Sequence, residues 1–225
     1  MIRKTIKILL SMFLIAVFAV PVLYIGRGYF LGARTISQLL TENKELKRAV
    51  TSLTAEDQIG YAKVISQRTE QGQLFTTIKF VETARDNKLE KIIEKEYSIE
   101  GDIVHFDALI VKFSNQMVLD GKAKSLYLWR RIYGEKTAPD QGFAIEQQGD
   151  EPERYRDILA KLHIKDRKLF WENIWSLADD NEKLREYGIT AVYGNVVYSR
   201  LRPGLIYVLK ISATGQVWPE VVPEI

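Results

Sequence analysis

From Ile8 to Ile25 the chain reads ILLSMFLIAVFAVPVLYI, eighteen residues with no charge and one serine. As a helix rising about 1.5 Å per residue it spans roughly 27 Å, close to the hydrocarbon core of a bilayer. Ile6 and a snorkelling Lys7 extend it, and Pro21 is tolerated in a membrane helix. Tyr24, Tyr29 and Phe30 sit where an aromatic belt lies. The run predicts a cytoplasmic tail over residues 1–7 and a transmembrane helix over 8–26. Arg3, Lys4 and Lys7 precede the run more densely than Arg27 and Arg34 follow it. The denser cluster stays in the cytoplasm, so the rest of the chain is expected on the far side of a bacterial-type inner membrane. The competing reading is a cleaved signal peptide, with Val17-Phe18-Ala19 as its processing site. Against it, the apolar run continues to Ile25 and Pro21 follows that site.

The chain has 225 residues, which leaves about 170 for a globular part, enough for one domain or two small ones. Hydrophobic residues make up 46% and charged residues 27%, so the bulk can bury enough apolar surface to fold. Net charge is +3, from 32 basic and 29 acidic residues, too balanced for a nucleic-acid surface. The absence of cysteine excludes disulfides, thiolate nucleophiles and cysteine metal sites. Only His105 and His163 are present, so a three-histidine zinc site is impossible. No cofactor is expected.

Arg34 to Asp57, within a juxtamembrane stem over residues 27–57, lacks Gly and Pro and reads as a helix. Ile36, Leu39, Asn43, Leu46, Val50 and Leu53 follow one another in steps of three and four, a heptad seam with Asn43 at an a position. Glu42 and Lys47 then fall at g and the following e. Gly28-x-x-x-Gly32 would let two helices approach closely. The seam predicts a parallel homodimer; the alternative is an amphipathic helix packed on its own domain.

Residues 58–225 read as an antiparallel, β-rich α+β domain. Strand-like runs cover Tyr61 to Gln67, Leu74 to Glu82, Lys91 to Ile99 and Ile103 to Phe113, with turns at Glu70-Gln71-Gly72 and Gly101-Asp102. Met117 to Leu119 and Ser125 to Tyr133 predict a hairpin across Asp120-Gly121. Lys136 to Asp150 reads as a polar loop. Pro152 opens a helix carrying Tyr155, Ile158, Leu159 and Leu162. Asp166 caps a second helix with Leu169, Phe170, Ile174, Leu177 and Ala178, ending near Gly188. Ile189 to Leu201 and Leu205 to Ser212 predict a C-terminal hairpin across Arg202-Pro203-Gly204. Thr214-Gly215 is a turn before a Pro-interrupted tail.

Phosphate loops, G-x-S-x-G and H-E-x-x-H are absent from the chain. Gly101-Asp102-Ile103-Val104 resembles the Gly-Asp-hydrophobic run of membrane-anchored signal peptidases. That family's nucleophile sits in a Ser-x-Met-Pro setting, however. The only Ser-Met here, Ser11-Met12, lies inside the apolar run without the proline, so the chain is not assigned to that family. His105 and Asp107 share a strand face and could act as base and orienter, or as two metal ligands, but no third partner is evident. His163 suits a helix C-terminus. No catalytic, cofactor or metal residue is assigned.

Strand alternation through Leu126 to Tyr133 places Tyr127, Trp129, Arg131 and Tyr133 on one side, a candidate partner surface rich in hot-spot residue types. Its competing reading is a face covered by the helix holding Trp171 and Trp175. The expectation is therefore a non-catalytic, single-pass, membrane-anchored interaction or assembly module of the cell envelope, with an envelope protein as partner. The alternatives are a membrane-tethered hydrolase using carboxylates and an extracytoplasmic ligand-binding or sensory domain acting through a partner.

Overall fold

Positive-φ residues follow four of the long strands of this chain, at Gln71-Gly72, Gly101, Gly204 and Gly215. In the computed structural model, which describes residues 38–147, 149–156, 167–174 and 180–224, the described residues form nine strands. The chain divides into two units, Met1–Ala49 and Val50–Ile225. In the first, residues 38–49 are helical; the helix, α1, runs through residue 54. The apolar run at 8–25 and Ile36 lie outside the described residues. Among those described, no helix is long and apolar enough to cross a membrane, a statement that concerns helices alone.

The second unit is mixed α+β with antiparallel sheets and few helices. Its strands are β1 (Glu56–Glu70), β2 (Gln73–Thr83), β3 (Lys91–Glu100), β4 (Ile103–Phe113), β5 (Leu126–Gly134), β6 (Phe143–Ala144), β7 (Ile189–Arg200), β8 (Leu205–Ser212) and β9 (Val217–Pro223). One sheet has the order β3-β2-β1-β8-β9 and the other β6-β5-β4-β7. Every pairing is antiparallel. Period-two alternation buries one face of each sheet against the other. Phe80 of β2 stacks on Phe106 of β4 at 6.1 Å and meets Trp129 of β5 edge-on at 5.3 Å. The β1–β2 hairpin forms as expected: Gln71 and Gly72 both take positive φ, 50° and 82°, the conformation of a two-residue turn matched to strand twist.

Three expected local connections are different in the fold. Asp120-Gly121 closes no hairpin. Ser114 caps a short helix, α2 (Asn115–Leu119), by accepting from the Met117 N–H. Gly121 then takes φ 67°, with its N–H on Val118 O and that of Lys122 on Met117 O. That paired 5→2 and 6→1 pattern is a helix C-cap. The turn glycine was legible, but its role depends on what precedes it.

Arg202-Pro203-Gly204 does reverse the chain, with Gly204 at φ 77°. Yet β7 pairs with β4 and β8 with β1 and β9, so the chain changes sheets there. The Gly101-Asp102 corner does the same between β3 and β4. The two corners are joined where the Leu201 N–H donates to Asp102 O at 2.6 Å. The C-terminal hairpin is instead β8–β9, across Thr214-Gly215.

The third difference lies in the helical stretch. The single helix expected from Asp166 to Gly188 is interrupted. α3 spans Arg167–Asn173 and α4 spans Asn181–Glu186. Asp180 between them is non-helical and accepts from the Lys183 N–H, so it caps α4 instead of continuing a helix. Leu177 and Ala178 lie outside the described residues, as do Ile158, Leu159, Leu162, His163 and Trp175. After Pro152 the described backbone is a 3-10 turn, Glu153–Tyr155. The expected polar loop at 136–150 contains β6. Phe170, Trp171, Ile174 and Leu184 join the same apolar cluster as Leu109, Val111 and Phe113 on the outer side of β4. One end of that outer face is thereby covered.

Candidate functional site

The residues expected on one face of β5 are divided between two. Asp107 of β4 sits opposite Arg131, but the next residue, Ala108, sits opposite Trp129. Arg130 is the extra residue of a β-bulge, and an extra residue inverts the parity of everything beyond it. Tyr127 and Trp129 therefore point into the core and are fully buried. Arg131 and Tyr133 lie on the outer face, so the four-residue partner surface does not exist as such.

What the bulge builds on the outer face is different. Two arginines meet one carboxylate. Arg130 donates to both oxygens of the buried Asp107, Nε at 3.0 Å to each and Nη2 at 2.8 Å, while Arg131 Nε is 3.6 Å away. Asp107 and His105 do share a face, but the Asp107 carboxylate is held by arginine. The His105 ring stacks on Tyr133 with centroids 4.8 Å apart and planes 2° from parallel. Among the described residues no group of three or more His, Asp and Glu could hold a metal.

Across β4 from Tyr133, β7 adds Tyr198 opposite His105 and Val196 opposite Asp107. Tyr198 is 71% exposed and Val196 43%. Tyr198, Val196 and the His105–Tyr133 stack make an apolar and aromatic patch beside the Arg130–Asp107 pair. A depression of about 550 Å³, lined by Arg130, Arg131, Asp140, Gly142 and Glu146, adjoins it.

The outer edge of that patch is β7, and the four sheet edges are not alike. β9 carries Pro219 and Pro223, β6 has two residues, and β3 carries Lys91, Glu94, Lys95 and Glu96. Proline, shortness and charge are the ordinary protections of an edge strand. β7 has twelve residues, no proline, no lysine and one charge, Arg200 at its end.

A second polar cluster is enclosed between the sheets. Glu82, at the inner-facing end of β2, has 0% exposure. One of its oxygens accepts from the Tyr127 hydroxyl at 2.8 Å; the other has no partner. Arg154 Nε lies 3.1 Å from Glu82, but that N–H is not aimed at the carboxylate and makes no hydrogen bond. The Arg154 Nη atoms are better placed, at 2.6 and 2.9 Å from the two oxygens of Glu146, and Nη2 also donates to Tyr127 O at 3.0 Å. Glu146 in turn accepts from the Trp129 N–H at 2.7 Å. The guanidinium groups of Arg154 and Arg85 lie 4.8 and 5.0 Å from the Tyr127 ring centroid. Burial pushes the Glu82 carboxyl up to about 7; Arg154 pulls against that and Glu146 adds to it. This network ties the 146–155 segment to β5.

Sequence reasoning missed Glu82, Arg154 and Glu146. Glu82 had a signal, since it continues the inward alternation of Ile78 and Phe80. Glu146 had none, lying in a polar loop without periodicity, and Arg154 fell in the helix expected after Pro152, where nothing marked it as the partner of a buried carboxylate. Of the stem residues, Leu39, Asn43, Leu46 and Val50 are exposed and Leu53 is half-buried. Comparison with family models, curated proteins and solved structures finds no match to the chain.

Proposed function

We propose that the chain is a single-pass, membrane-anchored, extracytoplasmic interaction or assembly module of the cell envelope, and that its contact surface is the open outer face of β4, β5 and β7. The observation that carries this reading is the exposure of Tyr198 and Val196 beside the His105–Tyr133 stack. A tyrosine and a valine left in water beside a stacked ring pair and a paired arginine fit the composition of an interface centre. The eighteen-residue apolar run and the basic residues before it supply the anchor and its direction. The carboxylate-hydrolase alternative would centre on Glu82, whose raised pKa suits a general acid. Glu82 is sealed between two sheets, which favours a structural role.

Two measurements test the proposal. Alkaline phosphatase fused after residue 225 is expected to be active in intact cells; an inactive fusion, with a cytoplasmic reporter active in its place, overturns the orientation. A photoreactive phenylalanine analogue at Tyr198 is expected to trap a protein adduct of defined mass in membranes. The same probe at Leu89, 91% exposed in the β2–β3 loop, should trap none. Equal trapping at both sites, or none at Tyr198, removes the surface assignment.

A further inference from the structure

We infer that the occupant of the β7 edge is a second copy of this chain, paired antiparallel through β7 about a two-fold axis at Val196. The inference rests on the membrane-anchored interaction reading above. Its ground is self-complementarity along β7 itself.

A two-fold axis perpendicular to a sheet keeps every side chain on its own face. It therefore allows only registers in which one residue faces its own copy. Centred on Val196, the outer face pairs Val196 with Val196 of the second copy. It pairs Gly194 with Tyr198 in both directions. On the inner face, Asn195 meets Val197. Gly194 presents bare backbone, and the Arg130 guanidinium is the nearest side chain over it: a Cβ there would lie 3.4 Å from Nη2. The Tyr198 ring of the second copy thus covers an open glycine, the arrangement by which an aromatic residue offsets a glycine in a sheet. It also comes up beside a guanidinium that can stack with it.

The pairing run is Gly194 to Tyr198. Before it, the Tyr193 hydroxyl donates to Gly215 O at 2.9 Å and ties the start of β7 to the β8–β9 turn. Within it, Gly194, Val196 and Tyr198 are all exposed. The product is one eight-stranded sheet, running from β6 to β7 in one copy and from β7 to β6 in the other. A five-residue ladder gives a weak dimer in free solution. Confinement to one membrane raises the effective concentration, so that such pairing is populated.

The chain is free of cysteine, which makes the register directly testable in the full-length protein in its membrane. At the axis, Val196→Cys places two thiols on directly opposed residues. Their Cα atoms are then about 4.5–5.5 Å apart, within disulfide range. Mild oxidation is expected to give a covalent dimer. Thr190→Cys is also exposed on β7 but lies six residues from the axis, and should give none. Adding Tyr198→Asp to Val196→Cys should lower the cross-linked fraction about five-fold, because the Gly194–Tyr198 contact occurs twice.

Equal cross-linking of the Val196 and Thr190 variants, none for either, or no effect of Tyr198→Asp overturns the pairing. The Tyr198 photoprobe separates this failure from that of the interaction reading. An adduct with a different protein leaves the interface standing and removes the second copy; no adduct removes both.

Discussion

Arg154→Ala is expected to cost about 3–5 kcal/mol at pH 8, the range for removing one partner of a buried ion pair. Arg154 is the cation between two enclosed carboxylates. It holds Glu146 with both Nη atoms and lies within 3.1 Å of Glu82. Truncation leaves Glu82 uncompensated and frees the segment that Glu146 and Tyr155 tie to β5.

The loss should depend on pH. Glu82 titrates at about 7 in the fold, from an ordinary value of 4.5. Between those values the folded state binds more protons than the unfolded one, so stability falls as pH rises through that window. In the unaltered protein this term is at most about 3 kcal/mol, fully expressed above pH about 7. The Arg154 charge holds the Glu82 value down, so removing it raises that value further and steepens the fall. Urea unfolding of the detergent-solubilised full chain at pH 5 and pH 8 should show a smaller deficit for Arg154→Ala at pH 5. Adding Glu82→Gln, which keeps an acceptor for the Tyr127 hydroxyl, should recover stability at pH 8. An Arg154→Ala deficit equal at the two pH values would show that Glu82 is not the responsive group.

Phe80→Ala carries the second large effect, about 3–5 kcal/mol. Phe80 is fully buried where the sheets meet, against Phe106 and Trp129. Its removal empties the middle of the interface, and neither sheet can close the gap without shifting its own ladder. A domain of this size is stable by roughly 5–15 kcal/mol in total. The midpoint of urea unfolding should fall steeply while the slope stays unchanged. Phe80→Leu, which retains most of the volume, should lose about 1 kcal/mol. A Phe80→Ala loss as small as that of Phe80→Leu would mean that the sheets are not held together there.

The candidate surface was legible only in fragments. His105 and Asp107 share a face because β4 has no extra residue between them, so its alternation is intact there. Their partners were not readable. Tyr133 reaches His105 only because Arg130 occupies a bulge, and nothing in LYLWRRIYG marks one. Tyr198 and Val196 read as ordinary members of a hairpin strand. They become a surface because β7 ends the sheet, a property of strand order.

By itself, the sequence determined the local events. The apolar run of residues 8–25, the strand segments of β1 to β5, β7 and β8, the reversals at Gly72, Gly204 and Gly215, and the antiparallel α+β class follow from periodicity and from backbone positions suited to positive φ. These are decided by neighbours a few residues apart. The tertiary structure decided which strands pair, that two corners change sheets, and that Glu82 is sealed beside Arg154. Each depends on groups far apart in the chain: Glu82 and Tyr127 are 45 residues apart. Local preference cannot choose among non-local partners, because a strand offers the same hydrogen bonds to any edge. The choice falls to side-chain packing between the two sheets.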